Sequence, residues 1–146
     1  MLKSRLYLAY GSNLHIAQMQ RRCPTSEVIA KGFAKGYELL FWGTEGDAVA
    51  TIEPKQRCKV PVLIWSIQPK DETALDIYEA FPRLYRKEII KAELYNGECI
   101  EAMAYIINFG KIASPSAHYY KVIEQGYKDN NMNLYYLKKA LDKCRT

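Results

Sequence analysis

The sequence predicts an α+β fold in which a mainly antiparallel sheet or barrel carries packed helices, rather than a doubly wound parallel sheet. Three observations point there. Short β-like segments fill the first half, Asn96-Gly97 joins two longer β-like segments as a hairpin, and helical segments interrupt the strands irregularly. At 146 residues, 49% of them apolar, the chain is sized for a single domain (1–146) with one core.

The elements follow in order. Residues 5–10 are apolar and aromatic and read as a buried strand, which Gly11-Ser12-Asn13 breaks before a helical segment at 14–22 that Pro24 closes. Further β-like segments fall at 28–30, 38–42, 49–52 and 60–67, with Gly32, Gly36, Gly43, Gly46 and Glu53-Pro54-Lys55 as the breaks. Pro69 and Asp71 open a helix at 72–80 with Asp71 as its N-cap. Pro82 stops that helix, because it has no amide donor and biases Phe81 away from helical torsions. Segments 85–95 and 98–107 flank Asn96-Gly97, a pair suited to a type I′ turn. Ser116, after Pro115, caps a helix at 117–125 that Gly126 ends, and Leu134, Leu137 and Leu141 mark one face of a last helix.

Composition narrows the function classes. The formal charge is +5, but the positive residues are spread along the chain and no run of five occurs, so no nucleic-acid surface is expected. No export signal and no apolar stretch of membrane-spanning length is seen, so no membrane association is expected. Cys23, Cys58, Cys99 and Cys144 contain no Cys-x-x-Cys pair, and His15 and His118 are far apart. Small buried reduced thiols, a cytoplasmic location and no metal are the expectation.

Two places carry chemistry. A glycine after a buried strand allows a sharp turn, and amides opening the next helix have no internal partners, so Gly11, Ser12 and Asn13 suit a carboxylate or phosphate. A simple helix cap explains the same three residues. Ser12 lacks the Gly-x-Ser-x-Gly context of a nucleophile and reads as a binding residue. In the helix before Pro82, Leu75 and Glu79 are four residues apart and share a face, with Tyr78 beside them. If Leu75 enters the core, Glu79 turns inward, loses hydration and becomes a candidate general base. A solvated acidic face made by Asp71, Glu72, Asp76 and Glu79 is the other reading, and spacing alone leaves both open.

In order and spacing, Tyr7-Leu8-Ala9-Tyr10-Gly11-Ser12-Asn13-Leu14, Ala50-Thr51-Ile52, Val62-Leu63-Ile64-Trp65, Leu75-Asp76-x-x-Glu79, Tyr85 and Pro115-Ser116-x-x-Tyr119 resemble the gamma-glutamylcyclotransferase family. The resemblance implies a small β-barrel whose cavity holds the substrate. Tyr7, Leu8, Ala9, Tyr10, Gly11, Ser12 and Asn13 would bind it, largely through backbone amides, with Tyr85 and Tyr119 lining the site and Glu79 moving the proton. The full Tyr-Gly-Ser-Asn-Leu loop is more similar to the cyclotransferases acting on gamma-glutamyl amino acids than to those acting on gamma-glutamyl amines.

The implied reaction is attack of the substrate's own α-amine on its γ-carbonyl, which releases 5-oxoproline with no cofactor and no enzyme nucleophile. The implied partner is a small gamma-glutamyl compound, with a homodimer left open. A gamma-glutamyl amine, a gamma-glutamyl biosynthetic intermediate, or mere binding of a small carboxylate are the alternatives. Two residues depart from the family pattern: Ala80 stands where glycine usually follows the catalytic glutamate, and Val62 where glycine often precedes the strand tryptophan. Both are expected to add volume near the cavity.

Overall fold

Five strands close into a barrel in the computed structural model, which describes residues 4–145. They are β1 (Arg5–Ala9), β2 (Glu27–Trp42), β3 (Val49–Ile67), β4 (Tyr85–Leu94) and β5 (Cys99–Ile107), arranged β1-β3-β2-β4-β5. Every ladder is antiparallel except β1 on β5, where Tyr7 pairs with Met103 and shuts the barrel. Four helices pack around it: α1 (Ile16–Arg22), α2 (Pro69–Tyr78), α3 (Ala117–Asp129) and α4 (Tyr135–Lys143). The expected α+β class and closed sheet are therefore present.

The four short β-like segments of the first half are instead two long strands, of 16 and 19 residues. Gly32 does not break β2. A Cβ there would lie 2.3 Å from Glu93 O, so this glycine lets the β2 backbone cross that of β4 where the two strands meet. Gly36, at φ +83, sits in a bulge across which the β2 partner jumps from Lys59 to Pro54. Pro54 remains in β3 beside that bulge, where a missing donor is tolerated. Gly43 and Gly46, both at positive φ, do bound the connection between the two strands.

The ends of several elements also shift. The N-cap of α2 is Gln68, not Asp71; Pro69 takes the first helical position, as its fixed φ favours. Asp71 is buried two residues later, where its Oδ2 accepts from Gln68 N at 2.9 Å and from Thr25 Oγ1 at 2.6 Å. The Asn96-Gly97 hairpin forms, but its turn is not type I′. Only Gly97 has positive φ, and Gly97 N donates to Leu94 O while Leu94 N donates to Glu98 O, which makes a three-residue loop with glycine in the left-handed position.

Ser116 caps α3 as expected, accepting from Tyr119 N at 3.0 Å, but the helix continues through Gly126. A Cβ at 126 would come within 2.6 Å of Leu14 Cβ, so this glycine serves a close crossing of α3 over the first loop. The first helix starts at Ile16, later than expected, because residues 12–14 form a 3-10 turn and His15 Nδ1 caps α1 by accepting from Gln18 N at 3.1 Å.

The buried side chains form one cluster that includes Leu8, Phe41, Ile52, Leu63, Ile64, Trp65 and Leu75. Burying each such side chain is worth about 1.5–3 kcal/mol. Trp65 Nε1 donates to Asn13 O at 3.2 Å, which ties the loop after β1 to β3. All four cysteines are free, but only Cys23 is buried; Cys99 is exposed, and Cys58 and Cys144 lie between.

Candidate active site

The geometry begins with Glu79. It follows the last residue of α2, with Glu79 N donating to Leu75 O at 2.8 Å, and Leu75 is fully buried. With Leu75 in the core, the four-residue spacing turns Glu79 toward the barrel, one of the two readings that the sequence left open. Glu79 is half-buried and lines a small cavity. Burial pushes its carboxyl up to about 7, and the positive charge of Arg22 pulls weakly the other way. It can therefore hold or release a proton near neutral pH.

Around it stand Tyr7, Tyr10, Tyr85, Tyr105 and Tyr119, with Gly11, Ser12, Asn13 and Ala50 completing the wall. The free space between them is ≈ 20 Å³, room for about one water. Burial raises the pKa of all five phenols, and the charge of Glu79 adds to the rise in Tyr7, Tyr10, Tyr85 and Tyr119. All five remain protonated donors.

Their hydrogen bonds divide these phenols into two groups. Tyr10 donates to Tyr105 O at 2.5 Å, Tyr85 to Ala50 O at 2.6 Å, and Tyr105 to Asp76 Oδ1 at 2.6 Å. By contrast, Tyr119 accepts from Ala50 N at 3.0 Å and Tyr7 accepts from Asn13 Nδ2 at 2.9 Å. Those two keep their own protons for another acceptor.

The loop after β1 is held on several sides. Leu14 N and His15 N close the 3-10 turn on Gly11 O and Ser12 O. Asn13 Oδ1 accepts from Arg22, whose guanidinium lies 3.5 Å over the Tyr78 ring, and Ser12 Oγ shares a 2.8 Å hydrogen bond with Tyr78 Oη. Gly11 packs against Ala50 and Tyr119: a Cβ there would be 3.3 Å from Ala50 Cβ and 3.8 Å from Tyr119 Oη. Because α1 begins only at Ile16, its dipole does not open onto Gly11 to Asn13. Any anion here would meet turn amides and hydroxyls, not the end of a long helix.

The fold brings Glu79, Tyr7, Tyr10, Gly11, Ser12, Asn13, Tyr85 and Tyr119 to one cavity. It does not bring Leu8 and Ala9 there; these are buried in the β1–β3 ladder opposite Ile64 and Leu63. Val62 is fully buried opposite Gly32 and does not line the cavity. Ala80 does not line it either. Its φ of +51 is the left-handed backbone that glycine adopts without strain, so the departure at 80 concerns backbone conformation, not cavity volume. Sequence reading missed Tyr105 and Arg22. The period-two alternation of β5 is the signal that could have flagged Tyr105, whereas the approach of Arg22 depends on how α1 packs.

Comparisons with known proteins bear on the fold and the family. Residues 7–128 match the family model "Gamma-glutamyl cyclotransferase, AIG2-like". The chain is 27% identical over 145 residues to the gamma-glutamylcyclotransferase of Homo sapiens, covering 94% of this chain and 77% of that one. It is 28% identical over 142 residues to that of Mus musculus, covering 92% and 76%. A solved gamma-glutamyl cyclotransferase superposes with a TM-score of 0.85 at 25% identity, covering 94% of this chain and 86% of that one. A match across residues 7–128, over the same barrel that carries Glu79 and its tyrosines, shows that this chain belongs to the gamma-glutamyl cyclotransferase, AIG2-like family.

Proposed function

We propose that the protein converts a gamma-glutamyl amino acid into 5-oxoproline and the free amino acid, with Glu79 as general base and then general acid. The observation that carries this reading is one carboxyl held near pKa 7 inside a ring of protonated tyrosines, against the turn formed by Gly11 and Ser12. Glu79 takes a proton from the substrate's α-ammonium. The freed amine attacks the γ-carbonyl carbon, forming the ring C–N bond; the amide C–N bond breaks as Glu79 returns its proton to the departing nitrogen, and the second proton of the ring nitrogen passes by way of the Glu79 carboxylate to the released amine, which leaves as its ammonium. The reacting groups belong to one molecule, so holding the folded-back conformer supplies much of the rate.

The amides and hydroxyls of the Gly11–Asn13 turn suit the α-carboxylate, and Tyr7 and Tyr119 have protons to offer substrate oxygens. A cavity of ≈ 20 Å³ is smaller than a gamma-glutamyl group, so binding must part the surrounding side chains. Four free thiols support a reducing, cytoplasmic setting.

The test is incubation with gamma-glutamyl-alanine and related dipeptides, with 5-oxoproline as the readout. Turnover by the wild type and a loss of about 10²–10⁴-fold in a folded Glu79→Gln variant are expected. Undiminished 5-oxoproline release by that variant would remove Glu79 from the mechanism.

A further inference from the structure

A groove beside the barrel lies apart from the Glu79 cavity and shares no residue with it. It measures ≈ 460 Å³, within the size range of small-molecule sites, about 300–1,000 Å³. One wall is the face of α4 that carries Tyr135, Lys139 and Lys143, spaced four apart. The other is the irregular stretch of β2 and β3 around Gly36, where Lys35 pairs with Lys59 and Tyr37 with Pro54, so that four residues of β3 stand opposite Gly36 alone. Two left-handed residues shape that stretch, Gly36 at φ +83 and Arg57 at φ +66. A non-glycine residue in this conformation costs energy, and such strain clusters at ligand sites.

Charge identifies the ligand class. Lys35, Arg57, Lys59, Lys139 and Lys143 line the groove against one carboxylate, Glu38. That is a local excess of four in a chain whose total is +5, so the fold gathers cations that the sequence disperses. Lys35 is paired with Glu93 at 2.8 Å and Lys143 with Glu38. Among the described residues, no carboxylate pairs with Arg57, Lys59 or Lys139; Lys59 Nζ lies 4.2 Å over the Phe33 ring. Tyr135, 55% exposed, stands on the same wall, with Lys139 Nζ 5.8 Å from its ring centroid and Tyr136 edge-on to it.

We infer that this groove binds a small polyphosphorylated ligand with a planar ring, of the nucleoside triphosphate class. Its phosphates lie against Arg57, Lys59 and Lys139 through charge-assisted hydrogen bonds, and its base stacks on Tyr135. A single carboxylate would need one arginine; five cations suit a ligand carrying several charges.

Isothermal titration of the full-length protein with ATP, tripolyphosphate and adenosine, at two salt concentrations, tests this. ATP and tripolyphosphate are expected to bind one per chain, to compete, and to weaken as salt rises, with adenosine at least about tenfold weaker. Arg57→Gly keeps the backbone conformation that glycine favours and removes the guanidinium. It should lose about tenfold in affinity for both polyphosphates, and Lys139→Ala combined with it should lose more, while melting cooperatively and leaving 5-oxoproline release intact. No saturable binding of either polyphosphate would overturn the inference. So would equal binding of adenosine, or unchanged affinity in the double variant.

Discussion

Tyr119 Oη accepts the amide hydrogen of Ala50 at 3.0 Å, which leaves the phenolic proton of Tyr119 for another partner in the cavity it shares with Glu79. Removing that hydroxyl has two separable consequences. Tyr119→Phe leaves Ala50 N without its acceptor and should cost about 1–2 kcal/mol in denaturant unfolding. It also removes a donor to substrate, so kcat/KM for gamma-glutamyl-alanine should fall about tenfold. A stability loss with unchanged kcat/KM would make Tyr119 a structural residue only.

The second prediction follows from the Glu79 carboxyl, which burial raises to about 7. The carboxylate is the form that accepts the α-ammonium proton, so kcat/KM should rise with pH and level off above about 7. An acidic limb at the ordinary glutamate value near about 4.3 would show that the base is not buried as described.

Stability should move the opposite way. Between the unfolded pKa of about 4.3 and the folded value, the native state holds a proton that the unfolded chain has released, so unfolding free energy falls as pH rises through that window. Glu79→Gln abolishes this dependence. The variant should melt above the wild type at pH 8, with the gap closing toward pH 4; identical melting curves at pH 8 would contradict the burial of the carboxylate.

Ala80→Gly should stabilise the protein. The left-handed φ of +51 at Ala80 strains a residue with a Cβ, and removing it should gain about 1 kcal/mol, or ~2–4 °C in Tm. Because Ala80 does not line the cavity, 5-oxoproline release should be unchanged. A lower Tm would show that Ala80 contributes packing that outweighs its backbone strain.

Gly32→Ala should do the reverse. Its Cβ would meet Glu93 O at 2.3 Å, a backbone atom that can retreat only if β2 and β4 part. A loss of about 3 kcal/mol in urea unfolding is expected. A variant as stable as the wild type would mean that the barrel closes without this contact.

Part of the site was legible because it depends on local spacing. The Ser116 cap and a helix that ends ahead of Pro82 act within a few residues and are present as expected, whereas the step from Leu75 to Glu79 left the direction of Glu79 open and the glycine after β1 leads into a 3-10 turn before α1 begins. The hairpin at Asn96-Gly97 was legible for the same reason, though its turn type was not: a three-residue loop also accepts glycine at its left-handed position.

The continuity of β2 and β3 through Gly36 and Pro54 was hidden, because a strand survives such residues only when a partner strand absorbs the irregularity. Gly126 was misread as a stop because only the crossing of α3 over Leu14 gives it a different purpose.

The sequence by itself carried the family pattern, and through that resemblance Glu79 as the candidate acid and base, together with the α+β class, since these rest on residue types and their order along the chain. Only the tertiary structure decided that Tyr105 lines the cavity that holds Glu79, that Leu8 and Ala9 do not, and that cations from positions 35, 57, 59, 139 and 143 share one groove. Barrel closure and helix docking set distances between residues far apart in the chain, and no local pattern encodes those distances.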